Sequence, residues 1–182
     1  MEKIILVRPG KSVILPVIEK LLPEGEKQIR ELSQSDLKKI VGSNYFYVVD
    51  SGKTRTSQSA GIIHSVLNYP CQGLWFEMRD LFALHPNAKK MERIVEWIEN
   101  NHPYKNKELG DGISLKGAIM VSHHTLIPGL AKYIGYRYQF DYEIPIEQIP
   151  EGHAIFLDLR QKTHEMLPRR IYAADSPHVI QI

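Results

Sequence analysis

Four consecutive apolar residues, Ile4-Ile5-Leu6-Val7, run straight into Arg8-Pro9-Gly10, and this run constrains the fold more than any other feature. Successive side chains of a strand point to opposite faces, so an unbroken apolar run buries both. That pattern belongs to a sheet covered by helices on either side. It recurs in Tyr45-Phe46-Tyr47-Val48-Val49, ahead of Asp50-Ser51-Gly52, and in Gly117-Ala118-Ile119-Met120-Val121, ahead of Ser122-His123-His124. Between these runs lie helix-forming segments. Glu24 to Val41 carries Ile29, Leu32, Leu37 and Ile40 at near-helical spacing, and a second helix is expected from about Thr54 to Leu67. Asn87 to Asn101 sets Met91, Ile94, Val95 and Ile98 on one face. Leu126 to Ile134 reads as a further helix, with Gly135 as its C-cap. Ala154 to Leu159 is a fourth strand and Arg170 to Ala173 a fifth, whereas 11–22 is irregular and Gly73 to Phe82 mixes an extended segment with a turn. The alternation predicts an α/β fold with a mainly parallel central sheet and helices on both faces, formed by one domain over residues 1–182.

Composition narrows the function classes. A formal net charge of +2 without a Lys/Arg run gives no electrostatic footprint for nucleic acid. The single cysteine, Cys71, precludes an internal disulfide and fits a reducing compartment. With no basic-then-apolar start and no long apolar span, the expected setting is cytoplasmic and away from membranes. The eight histidines lack the spacing of a structural zinc site, so neither metal nor cofactor is expected. His85 and His102, each followed by proline, read as loop residues, and Trp75 and Trp97 as packing residues. Tyr133, Tyr136, Tyr138, Phe140 and Tyr142 pack an irregular segment, the simplest account, or form an aromatic lid or a self-association surface.

The chemistry-bearing residues sit just past three of the strands: Arg8, then Ser51 with Arg55, then Ser122 with His123. In a parallel sheet such ends share one edge, where ligands bind in open α/β folds. Taken singly, Arg8 is a surface ion-pair partner, Ser51 an N-cap or turn residue, and His123 a satisfied polar group. Taken together, two guanidinium groups, an imidazole and nearby helix N-termini form an electropositive pocket suited to a phosphoryl group.

The motifs resemble those of the histidine phosphatase superfamily, which includes cofactor-dependent phosphoglycerate mutases and phosphohistidine phosphatases. Val7-Arg8-Pro9-Gly10-Lys11-Ser12 is similar to its opening Val-Arg-His-Gly-Glu-Thr/Ser, and Leu21 to Gln28 to its Leu-Thr-x-x-Gly-x-x-Gln segment. Ser51 to Ala60 resembles Ser-x-x-x-Arg-x-x-Gln-Thr-Ala, and Val121-Ser122-His123 with Leu126-Ile127 resembles Val-Ser/Thr-His-Gly-Gly-x-Ile. Glu77-Met78-Arg79-Asp80-Leu81 looks like the Glu-Leu-Arg-Glu-Ile stretch that carries the acid in many members. The resemblance spans residues 4 to about 134, with the remainder matching only as a closing strand pair. It implies that Arg8, Arg55 and His123 hold the phosphoryl group, and that Asp80, or Glu77 as alternative, donates the proton to the leaving oxygen. Apart from the resemblance, Ser51 joins the phosphate-binding set by its place past the second strand, and Lys11 by Coulomb attraction for an anion.

The departures bear on activity. The resemblance puts the phosphoryl-accepting histidine at the position of Pro9, whose ring nitrogen is locked in the peptide bond and is no nucleophile. Lys11 stands where the family has a carboxylate, His124 where it has glycine, and Leu15-Pro16 where an asparagine is usual. The reading that follows is a catalytically impaired relative that keeps a phosphate pocket for a phosphorylated small molecule or peptide. One alternative is an active phosphohydrolase that uses His124, or water activated by Asp80 or His124. Another is an interaction protein with a relic pocket.

Overall fold

The computed structural model describes residues 1–14, 19–67, 75–77, 87–100, 115–141 and 148–168. Its main sheet has six strands: β1 (Lys3–Val7), β4 (Tyr45–Asp50), β5 (Trp75–Glu77), β6 (Leu115–Val121), β7 (Ala154–Asp158) and β8 (Thr163–Leu167). They lie in the order β5-β4-β6-β1-β7-β8. The first four of that series are mutually parallel, β7 runs antiparallel to β1, and β8 closes the sheet antiparallel to β7. This is the α/β, mainly parallel arrangement that two-sided apolar strands predict.

The alternation along each strand sorts the side chains into two cores. Ile4, Leu6, Tyr47, Val49, Ala118 and Met120 pack on one face with α4 (Ala88–Asn100) and α5 (Ile127–Arg137). Ile5, Val7, Phe46, Val48, Ile119 and Val121 pack on the other. There they meet α1 (Pro23–Leu32), α2 (Lys38–Val41) and α3 (Thr54–Leu67). Each Val, Leu, Ile, Phe or Met among them contributes roughly 1.5–3 kcal/mol by leaving water. Trp97 packs against the first core with its ring edge-on to Tyr47, as a packing role requires.

Several local expectations need correction. Residues 11–22 are not wholly irregular, because β2 (Ser12–Ile14) and β3 (Glu19–Leu21) pair as an antiparallel hairpin. The helix from Glu24 to Val41 is interrupted by a π-turn over Ser33–Leu37. Leu32 and Leu37 are both buried although five residues apart, a step that an α-helix would rotate off the core face. The π-turn absorbs the extra residue, with the Lys38 N–H bonding to the Ser33 carbonyl. Ser33 and Ser35 assist by donating to the carbonyls of Ile29 and Glu31. Gly135 is not a C-cap but a buried residue inside α5. The helix runs on to Arg137, whose guanidinium binds the Glu99 carboxylate of α4, and Gln139 takes the left-handed conformation beyond it. Thr163–Leu167 is a strand that sequence reading did not mark, paired antiparallel with Ala154–Asp158. Cys71, Asp80, His85, His102, Tyr142 and Arg170–Ala173 lie outside the described residues. Among those that are described, no helix is long and apolar enough to cross a membrane.

The loop after β1 is pinned by contact between two glycines. A Cβ on Gly25, in the first turn of α1, would lie 2.1 Å from the Lys11 carbonyl oxygen, and one on Gly10 would lie 2.2 Å from the Gly25 oxygen. Backbone meets backbone here, so no side chain can yield. Hydrogen bonds from Lys11 N–H to Gln28 Oε1 and from Leu22 N–H to the Lys11 carbonyl complete the clamp, each 2.9 Å long. Gly25→Ala is therefore expected to cost about 1–3 kcal/mol, read as a lowered Tm in thermal denaturation, whereas Glu26→Ala on the exposed side of the same helix leaves Tm within a degree or two of the parent.

Candidate functional site

Strand register builds the site. Val7 pairs with Val121, Val121 with Asp50, and Asp50 with Glu77, so four parallel strands end level. Residues just past three of these ends, Arg8, Ser51 with Arg55, and His123, therefore converge on one edge. Because β6 lies between β4 and β1, His123 comes out between the other two sets. The antiparallel β7 starts at the same edge, with Ala154 paired to Val7, and this brings in the turn before it. Arg8, Pro9, Gly10, Ser12, Arg55, His123, His124 and Glu151 line the resulting pocket.

Arg55 is positioned by the turn between β4 and α3. The Asp50 carboxylate, almost fully buried, accepts the Gly52 N–H at 2.6 Å and the Ser57 hydroxyl at 2.7 Å. A negative charge before a helix N-terminus is favourable, and Gly52 supplies the positive φ of 73° that the turn requires. Ser51 is thus not the cap of α3. Its hydroxyl lies 3.0 Å from His123 Nε2 and 2.8 Å from Thr56 Oγ1.

Arginine fixes the direction of this chain of hydrogen bonds. The Arg55 Nη2 group is 2.8 Å from His123 Nδ1, and a guanidinium can only donate. Nδ1 therefore accepts, the ring proton sits on Nε2 and is donated to Ser51, Ser51 donates to Thr56, and Thr56 donates to the Lys53 carbonyl at 2.7 Å. The imidazole is held neutral. Burial, then the charge of Arg55, push its pKa down to about 4. His124 is lowered too, first by burial and then by Arg8 and Arg55, with Glu151 opposing.

The two arginines are not bare cations, which corrects the expectation of a strongly electropositive pocket. Arg8 donates to the Ile149 carbonyl at 2.6 Å and faces Glu151 at 3.6 Å. Burial, partly offset by Glu151, lowers its pKa, and the guanidinium stays charged at neutral pH. Arg55 Nε lies 2.9 Å from the Glu19 carboxylate, brought in by the β2–β3 hairpin. The Nε–H is not aimed at that oxygen, so the contact is an ion pair without an aligned hydrogen bond.

The other expected site residues divide. His124 lines the pocket. Lys11 does not, because its ammonium binds Glu24 at 2.8 Å on the exposed side of the clamp. Glu77 ends β5 at the common edge, and Asp80 lies outside the described residues. Sequence reading missed Glu19 and Glu151. An antiparallel closing strand paired to β1 was the one available signal for Glu151, and nothing in the irregular-looking 11–22 stretch pointed to Glu19. Among the described residues, no cluster of His, Cys, Asp and Glu could hold a metal ion.

Neither family models nor curated proteins match this sequence. Solved structures do match its fold. A structure assigned as the phosphohistidine phosphatase SixA from Agrobacterium tumefaciens superposes with a TM-score of 0.62 at 11% identity, covering 91% of this chain and 96% of that one. Mycobacterial glucosyl-3-phosphoglycerate phosphatase superposes with a TM-score of 0.59 at 10% identity, over 91% and 97%. The protein histidine phosphatase SixA complexed with tungstate gives 0.55 at 14% identity, over 90% and 93%. The chain thus shares the fold of these phosphatase structures.

The neutral His123 generates a pH prediction. In the unfolded chain an imidazole takes up a proton near pH 6.5, whereas in the folded protein it does so only near pH 4. The unfolded state thus binds more protons between these values, so stability is complete above about pH 6.5 and falls as the pH drops toward 4. Side-chain 15N NMR is expected to find the Nε2–H tautomer down to about pH 5, with a falling urea midpoint over the same range.

Proposed function

We infer that this protein holds a phosphoryl group and has lost the covalent step of its fold relatives. One observation carries the reading: Pro9 forms the wall of a pocket that Arg8, Arg55, His123 and His124 also line. The residue at the position of the nucleophile has no atom that can attack phosphorus, while the groups that would grip an oxyanion remain. A tungstate complex of a structural neighbour supports an oxyanion ligand, tungstate being tetrahedral like phosphate. The ligand is then a phosphorylated small molecule or peptide, bound without turnover.

The grip depends on Arg55, whose guanidinium faces both His123 and the pocket. Arg55→Ala is expected to weaken orthophosphate binding about ten- to hundred-fold by calorimetry, the loss that follows from hydrogen bonds to a charged group worth about 1.5–3 kcal/mol. Unchanged affinity would refute the assignment of the pocket. Pro9→His restores a phosphoryl acceptor, and the expected result is a phosphoenzyme detectable by intact mass after incubation with a generic phosphate ester.

His124 favours a second reading, an active phosphohydrolase. It lines the pocket, and its lowered pKa leaves a neutral imidazole able to accept a proton from water. Turnover of a phosphate ester by the parent protein, lost in both Arg55→Ala and His124→Gln, would establish that reading and displace the first.

A further inference from the structure

The pocket contains an acid that its arginines leave largely unused. Glu151 lines it beside Arg8, Arg55 and His124, and its carboxylate stands 3.6 Å from Arg8 Nη2, longer than a charge-assisted hydrogen bond. Arg8 spends its close hydrogen bond on the Ile149 carbonyl. Among the described residues the Glu151 carboxylate makes no hydrogen bond, and its side chain is 38% exposed.

The backbone around this acid is nevertheless fixed. Gly152 N–H donates to the Pro9 carbonyl at 3.0 Å, Arg8 N–H donates to the His153 carbonyl at 2.9 Å, and the Glu151 carbonyl lies 3.0 Å from His153 Nδ1. The carboxylate is therefore carried on the same rigid edge as Arg8 and Pro9.

This sets a charge requirement on the ligand. Arg8 and Arg55 are each opposed by a carboxylate, Glu151 and Glu19, and His123 is uncharged. A simple phosphate monoester carries nearly two negative charges at neutral pH, so it gains the guanidinium groups but meets Glu151. A ligand with a cationic nitrogen near its phosphoryl group satisfies both sets, with the phosphoryl oxygens on the arginines and the ammonium on the carboxylate. Resting on the reading of the site as a phosphoryl holder, we propose that the pocket selects phosphate esters bearing a nearby cationic nitrogen. Glu151 is the residue that determines this specificity.

The test compares 2-aminoethyl phosphate with ethyl phosphate, a pair that differs only in the ammonium group, on the full chain by calorimetry. The parent protein is expected to bind the amino ester about ten-fold more tightly, or about 1.4 kcal/mol. Glu151→Gln keeps the side-chain shape and is expected to bring the ratio to about one, with ethyl phosphate bound at least as well as before. Equal affinities in the parent, or a ratio unchanged in Glu151→Gln, would overturn the proposal while leaving the phosphoryl holder standing, since both esters still bind. A Glu151→Gln variant that tightens both esters equally would reduce Glu151 to a counter-ion of Arg8 and also overturn it. If the folded parent protein binds neither ester, the proposal and the reading beneath it fall together.

Discussion

The hydrogen-bond register between β1, β6 and β4 underlies the rest of this molecule. A strand shifted by one residue turns every side chain to the opposite face. Here such a slip would exchange the two apolar sets that pack on α4–α5 and on α1–α3. The buried faces thus lock the register, and the register makes Val7, Val121 and Asp50 end level. No contact within the pocket is needed to bring Arg8, Arg55 and His123 together, because the sheet does so. The pocket inherits its rigidity from two hydrophobic cores that contain none of its residues.

What the register brings together must still be electrostatically tolerable. Two guanidinium groups on one edge repel each other, and the lowered pKa of Arg8 carries a contribution from Arg55. The structure answers with one carboxylate for each arginine, both supplied by segments outside the parallel strands. Neither is an ideal partner, since one ion pair is long and the other is misaligned. They offset the repulsion between the two guanidinium groups, yet both contacts fall short of charge-assisted hydrogen-bond geometry.

The sheet, its direction and its three polar strand ends were legible in the sequence because two-faced burial leaves an unbroken apolar run, as in Ile4 to Val7. The helices followed from periodicity, but the π-turn did not, since a five-residue step from Leu32 to Leu37 reads as a flaw in the period until the core is seen to accept both residues. Arg8, Arg55 and His123 could be grouped by topology alone. The roles of Ser51 and Lys11 could not, because each depends on a partner chosen in three dimensions: His123 for the serine, Glu24 for the lysine. Glu19 and Glu151 were invisible for the same reason. A glutamate in a three-residue strand or a turn has no periodicity to mark it, and only the paired hairpin and the antiparallel β7 reveal where each one reaches.

The same architecture explains why a proline is compatible with an intact pocket. Position 9 contributes its carbonyl to Gly152, a bond that proline can make as well as histidine. The amide donors that hold this stretch belong to its neighbours, Arg8 to the His153 carbonyl and Lys11 to Gln28, so the missing N–H of proline removes no hydrogen bond from the clamp. The fixed φ of proline also removes conformational freedom from the unfolded chain. Arg8, Arg55 and His123 are placed by sheet register and a backbone-to-backbone glycine contact, and neither depends on the side chain at position 9.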